Sequence, residues 1–249
     1  MVKAVILAGG KGERFGNISG EIPKVMASLN EKPLLEHTIN WLKQNGVNEV
    51  VLCTGYKKEF IEDYFGNGEK FNVSIKYSHE DEPKGTGGAL KLAEKYLDET
   101  FVLINGDCLI DCDLKKAIEK HENEKSIATI NLTEAKNPEH QELIKFDDKF
   151  NVLEILQRNS EKHKEHMKNS NELYCNSGLF IFEPEVLKEL PEEGKYALEP
   201  TLFPKLFENN KKIKAFYENG VYIEIGNPEL YKKASENINV KKFLEAIGE

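Results

Sequence analysis

Short apolar blocks and apolar residues at helical spacing alternate along the first half of the chain. Residues 3–7 (KAVIL), 49–53 (EVVLC) and 101–105 (FVLIN) are continuous apolar runs, the pattern of strands buried on both faces. Residues 73–77 read as a further strand. Between these runs, Leu34, Leu35, Ile39 and Leu42 mark one face of a helix over 33–45 that stops at Gly46. Helices are predicted likewise over 57–65, ending at Gly66, and over 87–97 and 114–124. Strand and helix in alternation, joined by short connections, make a mostly parallel sheet covered by helices on both faces.

The second half is less regular. Strands are expected at 126–132, 142–146, 152–157, 174–182, 213–217 and 221–225. Residues 160–172, rich in Lys, His and Asn, read as a mobile loop or an exposed helix. Short helices follow near 184–190 and 199–209, and 228–238 opens with Pro228 in its first turn. No internal repeat is visible, and no hexapeptide array that would build a left-handed β-helix. The 249 residues thus read as one mixed α/β domain with a short tail over 240–249.

Composition narrows the chemistry. The 34 Lys and Arg against 43 Asp and Glu leave a net charge of −9, which argues against nonspecific binding to nucleic acid or to an anionic membrane. No apolar run approaches the ~20 residues of a membrane helix, and the run at 2–8 is too short for a signal peptide. The four cysteines lack CxxC spacing, so reduced thiols in a cytoplasmic protein are expected. Zinc-finger, metalloprotease and disulfide-scaffold classes lose their support.

Four segments carry candidate chemistry. Leu7-Ala8-Gly9-Gly10-Lys11-Gly12-Glu13-Arg14-Phe15 follows the first strand. Its glycines allow close backbone approach and offer N–H groups to a phosphate or a base. Phe15 breaks the dinucleotide fingerprint and no GK[ST] follows, leaving a glycine loop with two cations, Arg14 and, after Pro23, Lys24. A tight turn with surface cations is the plainer reading. Glycine-rich 82–90 feeds a helix, where Gly85 and Thr86 could meet a base edge or Thr86 could simply cap the helix. Asn105-Gly106-Asp107 ends the fourth strand, where open α/β sheets bind ligands, and a carboxylate there suits Mg²⁺. Asp111-Cys112-Asp113 offers a rival metal motif of the kind used by glycosyltransferases, unless Asp113 caps the helix that follows.

The loop at 7–14 together with Pro23-Lys24 resembles the sugar-nucleotidyltransferase family in identity and spacing. The form Gly85-Thr86-Gly87-Gly88-Ala89 is most like guanylyltransferases for heptose and mannose 1-phosphates. The resemblance implies a Rossmann-like, GT-A-like nucleotidyltransferase fold, with a nucleotide-binding half over 1–125 and a sugar-phosphate half over 126–239. It implies that Leu7, Ala8, Gly9, Gly10, Gly12, Gly85 and Thr86 bind the nucleotide, that Arg14 and Lys24 are the catalytic cations, and that Asp107 and Glu224 hold Mg²⁺. Asn176, Gly178, Arg158 and Glu199 would bind the sugar 1-phosphate. Three features depart from the family pattern: no Pro or Thr in 16–22, Glu224 where an Asp is usual, and Gln157-Arg158 where a Glu-Lys pair is usual.

The implied reaction is attack of a sugar 1-phosphate on the α-phosphorus of a nucleoside triphosphate, most simply GTP, with release of pyrophosphate. A phosphate monoester is already ionised at neutral pH, its second pKa being about 6, so no side-chain base is required. The six histidines are accordingly read as surface or packing residues. Alternatives are a CTP- or UTP-dependent transferase for another phosphorylated acceptor, a GT-A glycosyltransferase using Asp111 and Asp113, and a catalytically weak regulatory subunit. Oligomeric state is left open, a homo-oligomer included.

Overall fold

The structure, a computed structural model, describes residues 2–12 and 22–248. Strand β1 (Lys3–Leu7) is followed by a small hairpin, β2 (Ser28–Leu29) and β3 (Lys32–Pro33), and by α1 (Leu34–Gln44). Then come β4 (Glu49–Thr54), α2 (Lys58–Phe65), β5 (Ser74–His79), α3 (Gly85–Leu92), β6 (Phe101–Asn105), β7 (Cys108–Ile110) and α4 (Leu114–Glu124). The second half runs β8 (Ala128–Glu134), β9 (Leu143–Phe146), β10 (Val152–Leu156), α5 (Glu161–Asn169), β11 (Tyr174–Phe182) and α6 (Leu198–Glu208). It closes with β12 (Ile213–Tyr217), β13 (Tyr222–Glu224), α7 (Pro228–Glu236) and α8 (Ile238–Gly248).

Among the described residues, seven strands form the main sheet in the order β12-β8-β11-β6-β1-β4-β5. All neighbouring pairs are parallel except those of β11, which runs antiparallel to both β6 and β8. Alternation along each strand divides the apolar residues between two cores. Ile6, Leu52 and Ile104 face α1, α2, α4 and α8, while Val5, Val51 and Leu103 face α3 and α6. Both faces are dry, which is why these strands read as unbroken apolar runs.

The strand order places the site. From β1 the chain builds outward through β4 and β5, then crosses back to add β6 on the other side of β1. That reversal opens a crevice beyond the carboxyl ends of β1 and β6.

Three elements differ from the sequence reading in detail. Helix α3 starts two residues earlier than expected, because Gly87 N–H donates to Tyr196 O at 3.1 Å and Tyr196 N–H to Lys84 O at 2.9 Å. Gly85 (φ +72°) is required there, since a Cβ would collide with Tyr196 O. The polar stretch at 160–172 is the exposed helix α5, capped by Ser160 Oγ, which accepts the His163 N–H at 3.1 Å. The expected tail at 240–249 is corrected: through Gly248 it is α8, whose Val240, Phe243, Leu244 and Ile247 are buried in the core shared with α1. Its apolar spacing at i, i+3, i+4 and i+7 is that of an amphipathic helix. No helix of the described residues is long and apolar enough to cross a membrane. All four cysteines are buried and free.

Leu244→Ala leaves a cavity under α8 and should cost about 2–5 kcal/mol, measured by urea denaturation. Unchanged stability would show that α8 contributes no packing energy.

Candidate active site

The nucleotide side is built from backbone more than from side chains. Ala8 N–H still donates to Cys53 O at 2.8 Å, extending the β1–β4 ladder, and then the chain turns away from the sheet. Gly106 crosses under β1 with its N–H on Leu7 O at 3.0 Å, which a side chain would block. Gly10 has open space on its free face, whereas Gly9 and Gly55 both pack against the Glu80 carboxylate. A cleft of about 650 Å³ opens over this floor. Leu7, Ala8, Gly9, Gly10 and Gly12 line it, together with Lys24, Gly85, Thr86 and Asp107. Arg14 lies outside the described residues.

Charge is concentrated at one end. Lys24 Nζ donates to Asp107 Oδ2 at 2.7 Å, the lysine side chain only 11% exposed. The short pairing of β13 with β7 sets Glu224 opposite Cys108, and Ile225 N–H donates to Asp107 O at 3.0 Å. The two expected carboxylates therefore come from neighbouring positions of adjacent chains. Gly226 makes room for the folded Glu224 side chain, as a Cβ there would sit 2.8 Å from Glu224 Oε1. Burial, then the charges of Asp107 and Glu224, pushes the Cys108 thiol far above its ordinary value, so one sulfur senses both acids. It stays a neutral thiol, hydrogen-bonded to Asp107 Oδ1 at 3.6 Å.

These donors fit a hard divalent cation shared with a substrate. Mg²⁺ takes one or two protein carboxylates and completes its shell with phosphate oxygens and water. Among the described residues no three His, Cys, Asp or Glu gather as a closed cage. Asp107 in the cleft lining, with Glu224 across the β7–β13 pairing from its neighbour Cys108, suits such sharing.

The residues that the resemblance assigns to the acceptor, Asn176, Gly178, Arg158 and Glu199, lie outside the lining of the 650 Å³ cleft. Pairing of β11 with β8 shifts register between Asn176 and Phe180. In that bulge Gly178 adopts φ +80° and presses on the Asn105 side chain, while Asn176 Oδ1 accepts the Gly178 N–H at 3.1 Å. Asn105 itself lines the cleft, so the bulge touches the nucleotide side. Glu199 stands in the first turn of α6, its carboxyl held above the usual range by burial and by the nearby charge of Glu142. Arg158 lies just beyond β10 and acts electrostatically on Glu142. Thr86 does not cap α3. Its Oγ1 accepts the Leu198 N–H at 2.8 Å and so ties α6, and with it Glu199, to the cleft.

The sequence reading missed Glu80 and Lys195, which line the cleft together with Asn105 and Lys11 of the segments it had singled out. Glu80 Oε2 accepts the Lys84 N–H at 2.9 Å, a loop-closing contact with no pattern to announce it. Lys195 arrives from more than a hundred residues away. The rival motif fails: Asp113 Oδ1 caps α4 through the Lys116 N–H at 3.0 Å, and Asp111 and Asp113 border a different hollow, beside Trp41 and α8.

A family model described as nucleotidyl transferase matches residues 3–241. The chain belongs to this family. It is 37% identical over 238 residues to the D-glycero-alpha-D-manno-heptose 1-phosphate guanylyltransferase of Aneurinibacillus thermoaerophilus, covering 95% of this chain and 98% of that one. The enzyme of the same name from Campylobacter jejuni is 32% identical, with 92% and 97% covered. Among solved structures, HddC from Yersinia pseudotuberculosis complexed with GMP-PN superposes with a TM-score of 0.78 at 32% identity, covering 95% and 99%. The nucleotidyltransferase fold anticipated from the glycine loop and the alternating strands is therefore the fold of this enzyme.

Glu199 supplies a test of the acceptor wall. The folded state holds its proton more tightly than the unfolded chain, so the ionised form costs stability. That cost grows as pH rises from the ordinary carboxylate value of about 4.3 through the raised folded value. Glu199→Gln should melt about 2 °C higher than wild type at neutral pH, with the gain gone near pH 4. A pH-independent difference in calorimetry would count against a strained carboxylate.

Proposed function

We propose that this nucleotidyltransferase moves a guanylyl group from GTP to the phosphate of a heptose or mannose 1-phosphate and releases pyrophosphate. The observation that carries the reading is the Lys24–Asp107 pair at one end of a glycine-floored cleft, with Glu224 on the strand paired next to Asp107. The relatives named as guanylyltransferases, matched over nearly their full lengths, support the substrate class.

The chemistry needs neutralisation and alignment rather than proton abstraction. The acceptor phosphate is ionised at neutral pH, and in-line displacement at the α-phosphorus demands that two polyanions be held together. The backbone of residues 8–12 presents N–H groups to the triphosphate without adding bulk. Lys24 brings its ammonium to the phosphates from a nearly buried position, where its charge is weakly screened. Arg14 would add a forked donor set to the same groups. Asp107 and Glu224 would hold Mg²⁺, as enzymes of this family generally use a divalent metal. When bound, that ion neutralises phosphate oxygens and orients them. Asn176, Gly178, Arg158 and Glu199 would place the sugar 1-phosphate, with 1–125 serving mainly the nucleotide and 126–239 mainly the acceptor.

Glu80 favours guanine. Its carboxylate lines the cleft beside Gly9, Gly85 and Thr86 and is steadied by the Lys84 N–H. An ionised carboxylate only accepts hydrogen bonds. Guanine offers adjacent N1–H and N2–H donors, while the edges of adenine and cytosine present an acceptor at the equivalent place.

A pyrophosphate-release panel of four nucleotides against hexose and heptose 1-phosphates with Mg²⁺ should select GTP with a heptose or mannose 1-phosphate. Lys24→Ala and Asp107→Ala should each lower turnover at least a hundredfold, about 3 kcal/mol of barrier. Near-wild-type release by either folded variant would remove that residue from the mechanism, and preference for UTP or CTP would overturn the base assignment.

The base contact can be tested separately with ITP, which lacks the N2 amino group. Wild type should prefer GTP over ITP in kcat/KM by about tenfold or more, and Glu80→Gln should shrink that ratio to about twofold. An unchanged ratio would reduce Glu80 to a loop-closing residue.

A further inference from the structure

The acceptor wall contains a carboxylate at a position where the sequence pattern gave no sign of one. Strands β9 and β10 pair antiparallel, with Leu143 opposite Leu156 and Ile144 opposite Ile155. One step beyond the end of this ribbon, Glu142 therefore faces Gln157. The Gln157 amide donates to the Glu142 carboxylate, and Arg158 lies within electrostatic reach. Across from them stands Glu199, fixed by the Leu198 N–H on Thr86 Oγ1.

Two contacts place this ribbon end beside the reacting groups. On one side, Thr86 lines the nucleotide cleft directly. On the other, Gln141 Nε2 donates to Cys175 Sγ at 3.2 Å, one residue before Asn176 in the β11 bulge. Glu142 thus lies next to a residue that contacts the β11 strand beside Asn176, and within electrostatic reach of Glu199.

We propose that Glu142 is a specificity-determining residue whose carboxylate accepts hydrogen bonds from hydroxyls of the acceptor sugar, supplying the negative charge that Gln157 lacks. The proposal rests on the nucleotidyl-transfer reading above. An ionised carboxylate offers about four acceptor directions, and the Gln157 amide fills one of them. Half-buried and facing the like charge of Glu199, Glu142 gains from neutral donors that bring no further negative charge. Burial comes first among the causes that raise its carboxyl, consistent with a group desolvated ahead of ligand arrival. Sugar hydroxyls are such donors, and Arg158 beside them presents a fork suited to the sugar's phosphate. The acceptor favoured is therefore a fully hydroxylated pyranose 1-phosphate, with deoxy sugars at the contacted carbon rejected because a buried acceptor would be left unpaired.

The test is calorimetric binding of mannose 1-phosphate and its monodeoxy analogues to the full chain, with Mg²⁺ and a GTP analogue blocked at the α–β bridge. Glu142→Ala and Glu142→Gln should each weaken sugar-phosphate binding by about tenfold or more. Affinity for the GTP analogue should stay within about twofold of wild type. Wild type should lose about tenfold or more on at least one deoxy analogue, a penalty that Glu142→Ala abolishes. Glu142→Gln combined with Gln157→Glu, which returns the charge to the opposite strand, should recover most of the affinity. Sugar-phosphate binding unaffected in both single variants, or a wild type that binds no sugar 1-phosphate, overturns the proposal. Pyrophosphate release from GTP and mannose 1-phosphate separates the two readings. Release with an unaltered acceptor KM in Glu142→Gln leaves the function standing and removes Glu142. Binding that depends on Glu142 without any release does the reverse.

Discussion

At the carboxyl ends of β1 and β6, an ammonium and a carboxylate from segments 83 residues apart meet at 2.7 Å, and the remainder of the site is arranged around that contact. Lys24 is brought in by the short 3-10 turn over Lys24–Met26, Asp107 by the chain leaving β6, which runs beside β1 in the sheet. Neither charge is fully hydrated, so each holds the other in place while no ligand is bound. Such a pair is poised for exchange. A phosphate can take over the lysine, and a divalent ion the carboxylate, without either group becoming an isolated buried charge. This is how a chain with a net charge of −9 can gather polyanions. The cleft draws its cations from separate segments, Lys11, Lys24 and Lys195, and the incoming ligands complete the charge balance.

Steric requirements of backbone complement that pair. Gly9 and Gly55 leave room for Glu80, Gly85 for the carbonyl of Tyr196, and Gly226 for the Glu224 carboxylate. In each case the missing Cβ admits a carboxylate or a carbonyl at the rim of the cleft rather than loosening the chain. The cleft wall is consequently shared between distant segments. Thr86 spends an acceptor on α6 instead of on its own helix, coupling the position of the base-side turn to that of Glu199.

How much of this the sequence could show depended on whether the information was local. Strands buried on both faces announce themselves as apolar runs, so the parallel half of the sheet was readable to within a residue or two. The amphipathic spacing of Val240, Phe243, Leu244 and Ile247 was equally present, and α8 was lost only because a chain end invites being read as a tail. Glycine loop, Lys24, Asp107 and Glu224 were readable because each sits in a contiguous pattern. Glu80 and Glu142 were not, since a lone acid in a chain rich in acids acquires meaning only from what lies across from it. Thr86 shows the converse: its place before a helix suggested a cap, and tertiary contact overrode that local preference.

The acceptor side poses the sharper physical question, because Glu142 and Glu199 are like charges held together with Arg158 at their edge. A fold selected for stability alone would separate them or make one neutral. Gln157 on the opposite strand relieves part of the repulsion, since its amide donates where a further acid could only repel. The negative charge at this end of the ribbon sits on the β9 side, at position 142, rather than at position 157 on the β10 side. A hydroxyl-bearing ligand would meet a carboxylate from a different strand and hence at a different carbon. On that argument Gln157 bears on which hydroxyl is read, while the transfer chemistry proposed for Lys24 and Asp107 is separate from it.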